Sequence, residues 1–383
     1  MPAVVLAVAG PLDARTGGSI YNRRMAEGLR ARGWTVDARE LDGDFPQPSA
    51  AALEAAERMY AALPDRCTVL ADGLALSAMP DTIERHGRRL RVVALVHLPI
   101  AATVGLDKAT AARLAEWEQR ALGAATRVVV TGRGAWPLLE RYGLDRRTLT
   151  LVEPGVEPAP LARGSNAPVV RLLSVATVNA GKGHDVLLRA LASLDSRSAV
   201  SRGAASRSAG TSVPAAHSAS RSAGTSVPAN AWHLTCAGSL TRDSRTAARV
   251  RALATELGLE SRVTFAGDLD GSDLARAWDY ADLFVLATLR ETYGMAVAEA
   301  LARGLPVVST VAGAIPSLVG EDAGLLVPPG HVEALESALG RVITDPEFRA
   351  RLAAGARRVR DRLPTWDDAV GKMATTLEGC DHG

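Results

Sequence analysis

Twelve short runs of β-branched and leucine residues, separated by Ala/Leu/Arg-rich stretches, constrain this fold more than any other feature of the chain. The strand candidates in the first half lie at 3–9, 34–38, 67–71, 91–96, 127–131 and 149–152. Those in the second half lie at 169–175, 232–237, 262–266, 283–287, 305–309 and 324–327. Parallel strands cannot be joined by a tight hairpin, so each needs a long crossover, usually a helix. Runs such as "VVLAVA" and "LFVLA" are apolar without alternation, as strands covered on both faces are. Between the first two candidates the spacing of Ile20, Met25 and Leu29 predicts a helix over 18–32.

A chain of 383 residues exceeds what one core fills. The expected fold class is therefore α/β, with two doubly wound, Rossmann-like domains facing a cleft. The segment "VEPGVEPAPLARGSNAP" at 152–168 reads as the linker, placing one domain at 1–158 and the other at 159–364. In the tail, Pro364, Thr365 and Asp367 mark a helix start, and the helix expected over 365–383 either stands alone or crosses back onto the first domain. Residues 195–230 break the rhythm: "SRSAGTSVPA" occurs at 206–215 and again at 220–229. With almost nothing to bury, that stretch reads as a disordered surface insertion in a helix-to-strand connection.

Composition excludes several classes. A net charge of +2 gives no nucleic-acid footprint. The three cysteines, Cys67, Cys236 and Cys380, form no CxxC or disulfide framework and suit a reducing cytoplasm. The N-terminus lacks a basic n-region and reads as a buried strand, not a signal peptide. The apolar stretch 92–106 is interrupted by His97 and Pro99 and is too short to span a bilayer. "IERHGRRLR" at 83–91 reads as a solvated helix end rather than a lipid-binding surface. A cytoplasmic location follows, with at most peripheral contact at the inner face of a membrane.

Four strand-to-loop junctions carry candidate chemistry, where doubly wound proteins bind ligands. Gly17 and Gly18 follow the first strand and open a helix, so their N–H groups can approach a phosphate or sugar; the competing reading is a tight turn. The pattern is not GxGxxG, which argues against a dinucleotide. His97 ends the fourth strand, either as a structural residue or at the cleft rim, where it would donate to a hydroxyl or phosphate. In "VATVNAGKG", a loop with Asn179 presents Lys182, one of only three lysines among 44 basic residues, before a helix: a point charge beside free amides suits a diphosphate. In "LRETYGMAVAEALARG", Glu299 lies on a helix starting near Gly294 and would accept both hydroxyls of a ribose. The N–H groups of Tyr293, Gly294 and Met295 would face the distal phosphate, and Glu291 would hold hydroxyls of whatever the diphosphate carries. For both glutamates a solvated charge is the competing reading.

"ETYGMAVAEALARGLPVVST", with the glycine pair 17–18, "VHLP" around His97 and "GKG" around Lys182, resembles the E-x7-E signature of retaining family 4 glycosyltransferases of GT-B fold. The resemblance covers nearly the whole chain outside 195–230. It implies a sugar-nucleotide site in the second domain, with Lys182 on the diphosphate, Glu299 on the ribose and Glu291 on the donor sugar. It also implies the glycine loop reaching across to the donor, His97 near the reacting sugar, and no metal or other cofactor. One departure stands out: the family usually has an arginine five residues before the lysine, and here that residue is Thr177. Asn179 with backbone groups, or Arg290, would have to compensate.

The expected activity is transfer of a sugar from a UDP- or GDP-sugar to a small-molecule, glycan or lipid-linked acceptor, with Glu291 and His97 as catalytic residues. An epimerase or hydrolase of the same fold, or a non-catalytic sugar-nucleotide-binding protein, are the alternatives.

Overall fold

In the computed structural model, which describes residues 1–195 and 231–380, β1 (Ala3–Ala9), β2 (Thr35–Leu41), β3 (Thr68–Asp72), β4 (Arg91–Val96), β5 (Arg127–Val130) and β6 (Leu149–Leu151) form one parallel sheet. A second holds β7 (Val170–Val175), β8 (Trp232–Ala237), β9 (Val263–Gly267), β10 (Leu283–Leu286), β11 (Val307–Thr310) and β12 (Gly324–Val327). Strand order is 2-1-3-4-5-6 in the first sheet and 12-11-10-7-8-9 in the second. The order therefore reverses beside β1 in one lobe and between β7 and β10 in the other, so each lobe opens a crevice at the carboxyl ends of those strands.

Both faces of the central strands are covered, which is why most of them read as apolar runs, whereas edge strand β2, "TVDAREL", exposes Asp37, Arg39 and Glu40. In β1, Val4, Leu6 and Val8 pack with Tyr21, Met25 and Leu29 of helix Gly17–Ala31, while Val5 and Ala7 point into the opposite layer with Tyr60 and Val69. The tail helix, Trp366–Glu378, starts at Thr365, whose hydroxyl and Asp368 make a reciprocal capping box. It lies across the first lobe: Val370, Met373 and Leu377 join the layer of Val4 and Met25. Gly28 permits this approach, because a Cβ there would run into the Val370 side chain. Burying each of those three side chains is worth about 1.5–3 kcal/mol, enough to fix the crossing.

The segment between β6 and β7 is extended coil that starts on the first lobe, where the Tyr21 hydroxyl donates to the Val152 carbonyl at 2.9 Å. A second strand of chain crosses beside it, the Val156 amide donating to the Pro364 carbonyl at 2.9 Å. The helix that begins at His184 is described as far as Asp195, which accepts the Trp232 indole N–H at 3.0 Å. Asp195, the first residue of the expected insertion, is thus helical and tied to β8; the remaining residues of that insertion, 196–230, lie outside the described residues.

The reading of 83–91 as a solvated helix end is corrected. Arg85 and Arg88 are exposed, but His86 is buried and faces Glu57 at 2.9 Å. Arg89 donates to His86 Nδ1 and to the carbonyls of Tyr60 and Leu63, closing the end of helix Ala50–Ala61. Among the described residues no helix is long and apolar enough to cross a membrane.

Candidate active site

A cleft of about 770 Å³ runs between the carboxyl ends of the two sheets. Every residue singled out from sequence lines it: Gly17, Gly18, His97, Asn179, Lys182, Glu291, Tyr293, Gly294, Met295 and Glu299. From the first lobe, Thr16 caps the helix at Gly17–Ala31 by accepting the Ser19 amide at 3.1 Å, which leaves the glycine pair at the rim. A Cβ on Gly18 would come within 3.1 Å of the His97 ring, so the bare backbone is what lets the imidazole lie against this turn.

From the second lobe, the loop after β7 is held by Asn179, whose side-chain oxygen accepts the Gly181 amide at 3.0 Å. Gly183 closes it at φ +63°, where a Cβ would strike the Ala287 carbonyl. Lys182 is presented between them, and its ammonium donates to Glu291 Oε2 at 2.8 Å, with side-chain exposures of 26% and 16%. The two residues expected to grip different parts of one ligand therefore hold each other. Behind this loop, His184 is buried with neither ring nitrogen bonded to a described residue. Burial, reinforced by the Lys182 charge, pushes its pKa down to about 4.

Helix Met295–Ala302 begins after Gly294, a left-handed N-cap at φ +102° that offers no side chain. Its first internal bond is from Ala298 to the Gly294 carbonyl, so the amides of Met295, Ala296 and Val297 are the uncapped ones. That shifts the expected amide set by two residues, with Met295 common to both. Tyr293 stands before the cap, its side chain buried and its phenol without a hydrogen-bond partner among the described residues. Glu299 falls in the second turn, partly buried on the cleft wall. Burial raises its pKa against the pull of Arg303, and no described residue donates to its carboxylate.

Sequence reasoning missed three features. Arg242, in the loop after β8, lines the cleft together with Thr177 and Lys182 and makes no ion pair to a described residue. Its loop abuts the lysine loop, the Val178 amide donating to the Ser239 carbonyl at 3.0 Å. "SLTRD" follows a predicted strand end, which was the available signal. Arg290, expected to compensate for Thr177, also lines the cleft and is exposed. Two bonds tie the lobes together across the cleft, from Thr292 Oγ1 to the His97 carbonyl at 2.6 Å and from Arg15 to the Leu269 carbonyl at 3.1 Å. A third group, Asn22 and Asp72, lies behind His97.

Two doubly wound lobes, with a cation, helix amides and acids at their facing edges, define the GT-B fold of glycosyltransferases. A sucrose-phosphate synthase from Thermosynechococcus elongatus shares it with a TM-score of 0.76 over 99% of both chains, at 21% identity. Anabaena HepE, solved in complex with UDP-glucose, matches with a TM-score of 0.70 over 98% of this chain and 99% of that one, at 16% identity. Residues 221–359 match the family described as Glycosyl transferases group 1. A D-inositol 3-phosphate glycosyltransferase from Salinispora tropica is 28% identical over 288 residues, covering 68% of this chain and 54% of the relative. This chain thus spans about half the length of that relative.

Proposed function

We propose that the protein is a retaining glycosyltransferase that moves a sugar from a nucleoside-diphosphate sugar to an acceptor hydroxyl. The single observation that carries this reading is the Lys182–Glu291 pair set in one cleft with an uncapped helix start and the unpaired carboxylate of Glu299. A donor diphosphate would take the ammonium from Glu291 and accept from the amides of Met295 and Ala296. The released Glu291 carboxylate would then accept hydroxyls of the donor sugar, and Glu299 those of the ribose. Binding of the nucleotide end would in this way prepare the sugar end.

As the bond to the sugar breaks, negative charge grows on the diphosphate, where Lys182, Arg242 and the helix amides would stabilise it. The acceptor hydroxyl would enter from the first lobe on the face the leaving group vacates, passing its proton to a phosphate oxygen. Such charge stabilisation does not call for a metal, and transfer should persist in the presence of a chelator. The donor is a UDP- or GDP-sugar, and the protein acts in the cytoplasm.

The test is calorimetry against UDP- and GDP-sugars, followed by mass analysis of reactions with and without a panel of hydroxyl acceptors. Acceptor-dependent product supports the reading. Conversion of the donor with no acceptor present would instead identify an epimerase or hydrolase, and tight binding without turnover a binding protein.

A further inference from the structure

His97 ends a chain of three polar side chains, with Asn22 and Asp72 behind it in an apolar layer. Asp72, at the end of β3 and buried, accepts the Leu74 amide through Oδ1 at 2.9 Å. Its Oδ2 faces Asn22 Nδ2 at 2.7 Å, and Asn22 is buried as well. Asn22 Oδ1 in turn lies 3.0 Å from His97 Nε2. A carboxylate only accepts, so the Asn22 group facing it must be the amide NH₂. The Asn22 oxygen is then the atom facing the imidazole, and an amide oxygen also only accepts. His97 Nε2 must therefore carry the proton, and a neutral ring with Nε2–H has its lone pair on Nδ1.

The ring's position gives this consequence. The Cδ2–Nε2 edge is the one lying against Gly18 and Asn22, and Tyr21 meets the ring edge-on with centroids 5.2 Å apart. The opposite edge, carrying Nδ1, is the one left for the cleft that His97 lines. Burial lowers the His97 pKa, more than Asp72 raises it, which keeps the ring neutral near pH 7.

We propose that Asn22 and Asp72 are positioning residues that fix His97 in the Nε2–H tautomer, so that the cleft meets a hydrogen-bond acceptor at Nδ1 and not a donor. The ligand group this selects is a hydroxyl, which can donate, over a fully ionised phosphate oxygen, which cannot. The sequence-based expectation that His97 donates to a hydroxyl or phosphate is reversed. That the hydroxyl belongs to a transferred sugar or its acceptor rests on the glycosyltransferase reading; the tautomer does not.

The experiment is nitrogen NMR on the full chain labelled with ¹⁵N-histidine, at neutral pH, with the His97 signals assigned by their loss in His97→Gln. In the wild type, Nε2 should be protonated and Nδ1 bare; a protonated Nδ1 overturns the proposal before any activity is measured. Asp72→Asn keeps the acceptor for Leu74 but turns a donor toward Asn22. The Asn22 amide should then reverse, offering its NH₂ to His97 and moving the ring proton to Nδ1. An unchanged ring in folded Asp72→Asn sinks the proposal. Should that variant not fold, Asn22→Leu supplies the second reading: without the acceptor at Nε2 the ring should populate both tautomers, and a ring still purely Nε2–H counts against the assignment. UDP affinity should be unchanged in either variant, since the nucleotide contacts belong to the other lobe. A fall in kcat alone then reports the altered imidazole, whereas inactivity of the wild type itself would touch only the transferase reading.

Discussion

At the residue scale, the Lys182–Glu291 pair makes a prediction that separates binding from transfer. Because Glu291 occupies the ammonium in the absence of donor, Glu291→Gln should release Lys182 and strengthen binding of UDP alone by about 0.5–1 kcal/mol, while abolishing sugar transfer. Lys182→Ala should weaken UDP by roughly 1.5–3 kcal/mol. Titration calorimetry with UDP reads both; weaker binding in Glu291→Gln would mean that the pair does not compete with the diphosphate. Arg242 is tested in the same assay. If it supplies the charge that Thr177 lacks, Arg242→Ala should cost on the order of tenfold in UDP affinity. A loss confined to Arg290→Ala would assign the compensation there. The positions of Lys182 and the glutamates were legible because glycine-rich loops at strand ends are written in local sequence. The pairing of Lys182 with Glu291, and the supply of Arg242 from the loop after the neighbouring strand β8, depend on how strands are ordered across the sheet, which no local pattern encodes.

Among the elements, all twelve strands were legible, the central ones nearly to their ends because covered parallel strands are apolar; edge strand β2, with Asp37, Arg39 and Glu40, runs three residues past its expected end at 38. Helix roles were less so. His86 and Arg89 sit in a basic stretch whose hydrogen bonds run to the far end of another helix, and composition alone made them look solvated. His184 shows the energetic side of the same point. In the folded chain its pKa is pushed down to about 4 from an ordinary 6.5, so the unfolded chain binds the proton first. Stability from this group is complete above pH 6.5 and is lost as pH falls toward 4. The loss is on the order of 3 kcal/mol if the ring stays buried. His97 and His233, also lowered chiefly by burial, act in the same direction. Glu57 acts in a lower window: burial pulls its pKa up, but hydrogen bonds from Thr82, Arg85 and His86 win and hold it at about 2. Its contribution is therefore present above pH 4.5 and lost below. Chemical denaturation across pH 7 to 3 should show both windows. His184→Leu should flatten the upper one and Glu57→Gln the lower; an upper window unaffected by His184→Leu would remove this histidine as its source.

For the molecule as a whole, the two lobes are tied together asymmetrically. Helix Trp366–Glu378 and the paired crossings at Val156 and Pro364 form a permanent tie on one side, with three large apolar side chains buried in it. Across the cleft, two side-chain hydrogen bonds join the lobes among the described residues, from Thr292 to the His97 carbonyl and from Arg15 to the Leu269 carbonyl, and beside the first the turn at Gly132 and Gly134 packs on the Glu291–Thr292 backbone. Each bond is worth about 0.5–1.5 kcal/mol and the turn buries little beyond glycine, so the lobes can part there without unfolding either sheet. A cleft that opens on the weak side while hinging on the strong one would admit the donor and then exclude water from it. Arg15→Ala combined with Thr292→Val should therefore leave the unfolding midpoint close to that of the wild type. The radius of gyration in solution scattering should increase, and transfer should fall roughly tenfold with UDP affinity kept. The hydrolysis of donor in the absence of acceptor should rise relative to transfer, because water gains entry to a site no longer latched. If the double variant instead loses UDP binding and transfer together with no change in dimensions, the two bonds shape the nucleotide site directly and do not govern the distance between lobes.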